Sequence, residues 1–143
     1  MKRITISLIV LILILLTIFF YYKYSRNGIY IKPNDVENMI VLTSPIKDSQ
    51  ISSPLRIVGR ARGAWFFEGS FPVSLIDSYG NVIASGSVSA QGKWATEEFV
   101  PFLGTLQFNN YIKGSKGTLI LKKDNPSGLL ENDASIDLPI IFK

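Results

Sequence analysis

Histidine and cysteine are both absent from the 143 residues. Their absence excludes a Ser-His-Asp or Cys-His catalytic unit, a Cys/His zinc or iron–sulfur centre, a disulfide and a lipid-modified cysteine. Most common hydrolase and redox chemistry goes with them. No glycine-rich phosphate loop is present. No enzyme, cofactor or metal is expected. Charge is sparse as well: 18% of the residues are charged and 47% are hydrophobic. The mean hydropathy of +0.25 is high for a soluble chain and calls for a concentrated apolar run.

Residues 4–22 supply that run, uncharged through Leu, Ile, Val and Phe. A helix over it rises roughly 28 Å at about 1.5 Å per residue, close to the thickness of a bilayer's hydrocarbon core. Tyr21, Tyr22 and Tyr24 close it, with Lys23 and Arg26 beside them. Tyrosine suits the membrane interface, because its ring is apolar and its hydroxyl is wet. A cleaved signal peptide has a shorter apolar core and a small-residue cleavage site. Here the run ends in bulky aromatics, so residues 1–26 are expected to remain as an anchor contacting the lipid bilayer. A three-residue N-terminal tail is poor cargo for export. A single-pass cell-membrane protein is therefore expected, its amino terminus in the cytoplasm and its C-terminal domain outside.

Residues 1–37 hold five basic and two acidic side chains, which is +3 of the total +4. The excess positive charge lies beside the expected bilayer, where it suits anionic head groups. The remainder is almost neutral, and no nucleic acid is expected as a partner.

Residues 27–38 read as a linker. Residues 39–143 read as short β-rich runs separated by turn clusters. Strands are expected at 39–43, 55–61, 71–77, 82–90, 94–99, 102–108, 117–123 and 136–142, with Pro101 splitting the fifth from the sixth. Ser78-Tyr79-Gly80-Asn81 is a turn that makes a hairpin of 71–77 and 82–90. Seven to eight strands without an amphipathic helix bury their apolar faces economically as two packed sheets.

The blocks Ser53-Pro54-Leu55, Val58-Gly59-Arg60-Ala61-Arg62, Trp65-Phe66, Phe71, Leu75-Ile76-Asp77 and Gly80-Asn81-Val82 run in one order. Lys93-Trp94, Val100-Pro101-Phe102, Leu106-Gln107-Phe108, Gly117-Thr118-Leu119-Ile120-Leu121 and Lys123-Asp124-Asn125-Pro126-Ser127-Gly128 follow, closed by Leu138-Pro139-Ile140-Ile141-Phe142. In this the segment from about residue 40 to 143 resembles the immunoglobulin-like domain of bacterial spore germination proteins. The resemblance implies an immunoglobulin-like β-sandwich on a membrane-attached or exported bacterial protein. It carries over no catalytic residue.

Candidate contacts lie in two places. Trp65, Phe66, Phe67 and Phe71 could stack on a glycan, although packing between the sheets is the simpler account of large rings. Phe66 and Phe67 are adjacent, so in an extended strand they face opposite sides and one is exposed. Arg56, Arg60 and Arg62 stand at even spacing and share one sheet face. They could meet an acidic glycan or lipid. A solvated outer face, paired with Glu68, Asp77 or Glu97, is the simpler account, because arginine is mostly exposed in any case.

Trp94 reads as a rim or core residue. The oxygen-rich stretch Asp124, Asn125, Glu131, Asn132, Asp133 and Asp137 lacks ordered calcium-loop spacing and begins as a turn. Glu97 and Glu98 point to opposite faces if extended, unlike a glycosidase pair. The expectation is a non-catalytic, membrane-anchored extracytoplasmic interaction module at the bacterial cell envelope, binding a protein or a cell-wall polymer. The alternative is a structural or assembly subunit of a membrane complex, in a sporulation or germination setting.

Overall fold

The computed structural model describes residues 14–18, 36 and 38–143. The chain divides into two units, Met1–Tyr30 and Ile31–Lys143. In the first, residues 14–18 are helical, and Thr17 Oγ1 donates to the Ile14 carbonyl at 2.8 Å. The rest of the expected bilayer segment lies outside the described residues, as do Tyr21, Tyr22, Lys23, Tyr24 and Arg26. Among the described residues no helix is long and apolar enough to cross a membrane.

The second unit is all-β. Its strands are β1 (Ile40–Ser44), β2 (Gln50–Ile51), β3 (Leu55–Arg62), β4 (Ser70–Asp77), β5 (Val82–Ala90), β6 (Phe99–Leu106), β7 (Lys116–Lys122) and β8 (Ser135–Phe142). They form one hydrogen-bonded sheet in the order β1-β3-β6-β5-β4-β7-β8-β2. The two packed sheets expected from the sequence are thus one curled sheet. Its halves are joined because β5 pairs with β4 along most of its length and with β6 only at Val88–Ala90.

The curl follows from chain length. β2 ends at Ile51 and β3 begins at Leu55, yet they occupy the eighth and second places in the sheet. In a flat sheet six strand spacings would separate them by about 29 Å. The connecting residues 52–54 reach at most about 14 Å. The sheet must therefore fold over until its ends approach. Phe108, just past β6, confirms the closure, since its ring lies 5.9 Å from that of Phe142 on β8.

Alternation does the sorting. In β3, Leu55, Ile57, Gly59 and Ala61 are buried while Arg56 and Arg60 are exposed. Phe71 of β4 is fully buried and meets Phe102 of β6 edge-on at 5.0 Å. Among the described residues no polar or charged residue is buried. Removal of apolar surface from water is then the dominant favourable contribution to this cysteine-free core.

Two strand boundaries differ from the expectation. Residues 94–98 are irregular, and β6 starts at Phe99 and runs through Pro101. Gly63 explains the first. A Cβ there would collide with the carbonyl oxygens of Trp94 and Thr96, so the 94–96 backbone rests directly on the Gly63–Trp65 turn. Pro101 is tolerated because the β5 ladder has ended beside it. Gln91 N–H donates to the Pro101 carbonyl at 2.7 Å, and proline has no N–H to return.

Candidate functional site

Phe66 and Phe67 separate as period-2 geometry demands. Phe66 is buried at 5% exposure and packs 5.3 Å from Phe71. Phe67 is 41% exposed and opens a tight turn closed by its mutual backbone bonds with Ser70. Glu68 and Gly69 fill that turn at positive φ. Trp65 lies in the core at 1% exposure, edge-on to Phe71 at 6.2 Å, with its indole Nε1 buried and unpartnered among the described residues. Of the aromatic cluster, only Phe67 remains as a surface contact.

The arginines occupy the outer face of β3. Arg56, Val58, Arg60 and Arg62 lie opposite Thr105, Leu103, Pro101 and Phe99 of β6, and Val41 of β1 lies opposite Arg60. None of these cross-strand partners is acidic. Arg62 and Arg60 stand 4.5 and 5.2 Å from the Phe99 ring centre. A guanidinium over an aromatic face is held by the ring's quadrupole.

The three arginines differ in freedom. Arg62 is half-buried, and its Nη1 donates to the Glu97 carbonyl at 2.9 Å and its Nε to the Asn38 carbonyl at 3.2 Å. It holds the irregular 94–98 segment against the start of β1. Arg56 and Arg60 are exposed and make no side-chain hydrogen bond or salt bridge among the described residues. The expected pairing with the Glu68, Asp77 or Glu97 carboxylates is not formed. Arg62 reaches the backbone of Glu97 instead, because that carbonyl faces β3.

Phe99 is the residue that sequence reasoning missed. It anchors the face only through its register with Arg62, and cross-strand register is not visible in a single strand.

Two acidic residues, Asp77 and Asp133, are committed to turn and loop hydrogen bonds. Asp77 Oδ1 accepts from the N–H groups of Tyr79 and Asn81 at 2.8 and 2.9 Å, and Oδ2 accepts from the Asn81 amide at 2.9 Å. The Asn81 amide, with these backbone donors, holds the Asp77 carboxyl below the usual carboxylate range. Asp133 accepts from the Asn125 amide at 2.7 Å and pairs with Lys122 at 3.3 Å. Asn125 and then Lys122 lower its pKa. Asn125 also donates to the Leu129 carbonyl at 2.8 Å, so the 124–133 excursion is a hydrogen-bonded loop. Among the described residues no group of three acidic side chains is placed to hold a metal ion.

Such an arrangement is a β-scaffold with a basic outer face and an apolar interior. It defines an all-β domain built on one curled eight-stranded sheet. The pattern of the immunoglobulin-like domain of bacterial spore germination matches residues 39–128, and the chain belongs to that family. Neither the curated proteins nor the solved structures hold a significant match to the chain.

Proposed function

We propose that the protein is a non-catalytic, membrane-anchored interaction module on the outer side of a bacterial cell envelope. Its β3–β6 face takes an acidic surface, presented by a wall polymer or an envelope protein. The apolar segment 4–22 is the anchor. One observation supports the reading above others. Arg56 and Arg60 stand exposed on one face without an acidic cross-strand partner, and Arg60 and Arg62 rest on Phe99. Rotamers restrained against a ring lose less freedom when a carboxylate or phosphate binds. A bidentate guanidinium fork suits both groups.

The test is a pull-down with the full-length protein in detergent, run in parallel against purified wall and cross-linked membrane extract. Retention on wall polymer, competed by soluble fragments, identifies the glycan ligand. Capture of one envelope protein without wall binding identifies a protein partner. No retention in either arm refutes the reading.

A further inference from the structure

We infer that a cavity beside the 124–133 loop binds a small apolar carboxylate, with the Trp65 indole N–H and the Lys123 ammonium as its donors. The site is separate from the arginine face and does not depend on it.

The orphaned indole carries the argument. Among the described residues, Trp65 Nε1 is the only buried side-chain nitrogen or oxygen without a hydrogen-bond partner. Every other buried hydrophobic residue is aliphatic or phenylalanine. A phenylalanine at 65 would fill much of the same space without burying an unpaired donor, and such a donor is costly. Trp65 also forms part of the wall of a cavity of about 160 Å³. An acceptor lodged in that cavity would satisfy the indole.

The second donor sets the charge of the occupant. Lys123 lines the same cavity. Its Nζ donates to the Asn132 carbonyl at 3.1 Å and makes no other bond among the described residues. Two donors on one cavity suit a head group that accepts twice and carries negative charge, which is a carboxylate. Glu131 is on the wall too, but it is exposed, and water and salt screen it. The remaining apolar wall, from Val36, Met39 and Ala134, takes a hydrocarbon tail rather than a second polar group. A cavity of roughly 150 Å³ holds a benzene-sized molecule, so a tail of about four to six carbons fits.

Backbone bonds hold the walls in place. The Trp65 carbonyl accepts from Asp124 N–H at 3.1 Å, and Lys123 N–H donates to the Ala134 carbonyl at 2.8 Å. Arg62 N–H donates to the Met39 carbonyl at 2.8 Å. A cavity built this way needs little ordering when the ligand enters.

The experiment uses full-length protein in detergent, labelled with nitrogen-15 at tryptophan. The chain has two tryptophans, Trp65 and Trp94, and Trp94→Phe assigns their indole N–H signals. The probes are 3-methylbutanoate and its primary amide. The acid is expected to move the Trp65 signal downfield and saturably while the Trp94 signal stays, and the amide is expected to bind at least tenfold more weakly. Lys123→Met keeps the apolar stem and is expected to lower affinity for the acid at least tenfold, whereas Glu131→Gln does not lower it. No movement of the Trp65 signal at about 10 mM acid, tenfold above a millimolar Kd, overturns the inference and leaves the indole to water alone. Equal binding of acid and amide, or equal binding in Lys123→Met, overturns it as well. The comparison of acid with amide on the wild-type chain decides the matter even if the lysine variant does not fold.

Discussion

Replacing Phe66 and Phe67 by alanine in separate variants perturbs neighbouring positions with the same chemistry. The two unfolded chains are nearly equivalent, so the difference reports the folded state. Phe66 is 5% exposed and packs on Phe71, and Phe67 is 41% exposed. Emptying a buried phenylalanine site costs about 3–5 kcal/mol. A largely exposed ring is expected to cost below about 1 kcal/mol. The gap is roughly 3 kcal/mol, about a hundredfold in the unfolding constant. With a urea slope of about 2 kcal/mol/M, the two midpoints separate by about 1.5 M. The assay is urea unfolding of the full-length protein in detergent, followed by tryptophan fluorescence. Equal losses, or a larger loss for Phe67→Ala, would refute the assignment of these rings to opposite sides.

Further outcomes follow from the same contacts. Gly63→Ala forces a methyl into the Trp94 and Thr96 carbonyls and is expected to destabilise by at least about 2 kcal/mol in the same assay. Arg62→Lys keeps the charge but loses the fork that reaches Asn38 and Glu97, at about 1 kcal/mol, also read from the urea midpoint. Asp77 and Asp133 are held below their ordinary pKa, so on acidification the unfolded state takes up their protons first. Their stabilisation is complete above about pH 4, the ordinary carboxylate value, and is lost as pH falls through the folded pKa values. Asp77→Asn is expected to flatten the fall of the unfolding midpoint as the pH drops below about 4. In intact cells, added protease is expected to cleave the domain; full protection with the domain folded would place it on the inner side.

The sequence was most legible where turn chemistry and alternation act locally. Asp77 through Asn81 caps the β4–β5 hairpin with its own side chains, and β5 begins and ends where the turn and alternation place it. The alternation of Leu55 through Arg62 told which side the arginines take. The family resemblance extended this to residues 39–128, short of β8. Legibility failed where distant backbone decides. Residues 94–98 look strand-like, but the close approach of Gly63 and the bonds of Arg62 hold them irregular. Pro101 looks like a break, but its missing N–H falls just past the end of a ladder. The two-residue β2 is too short for any pattern, and it exists by pairing in parallel with Ile141 and Phe142. Phe99 gained its place under two guanidinium groups from register alone.

The basic face is tested most directly by the affinity of the captured envelope ligand for wild type and for the double variant Arg56→Glu/Arg60→Glu, across a salt series. Both arginines are exposed and make no hydrogen bond or salt bridge among the described residues, and the Arg60 contact with Phe99 is worth about 0.5–1 kcal/mol, so the unfolding free energy is expected to stay within about 1 kcal/mol of wild type. The account predicts that wild-type binding weakens steeply with salt and that the double variant loses at least tenfold in affinity at low salt. Unchanged affinity in a variant that melts like wild type would contradict it.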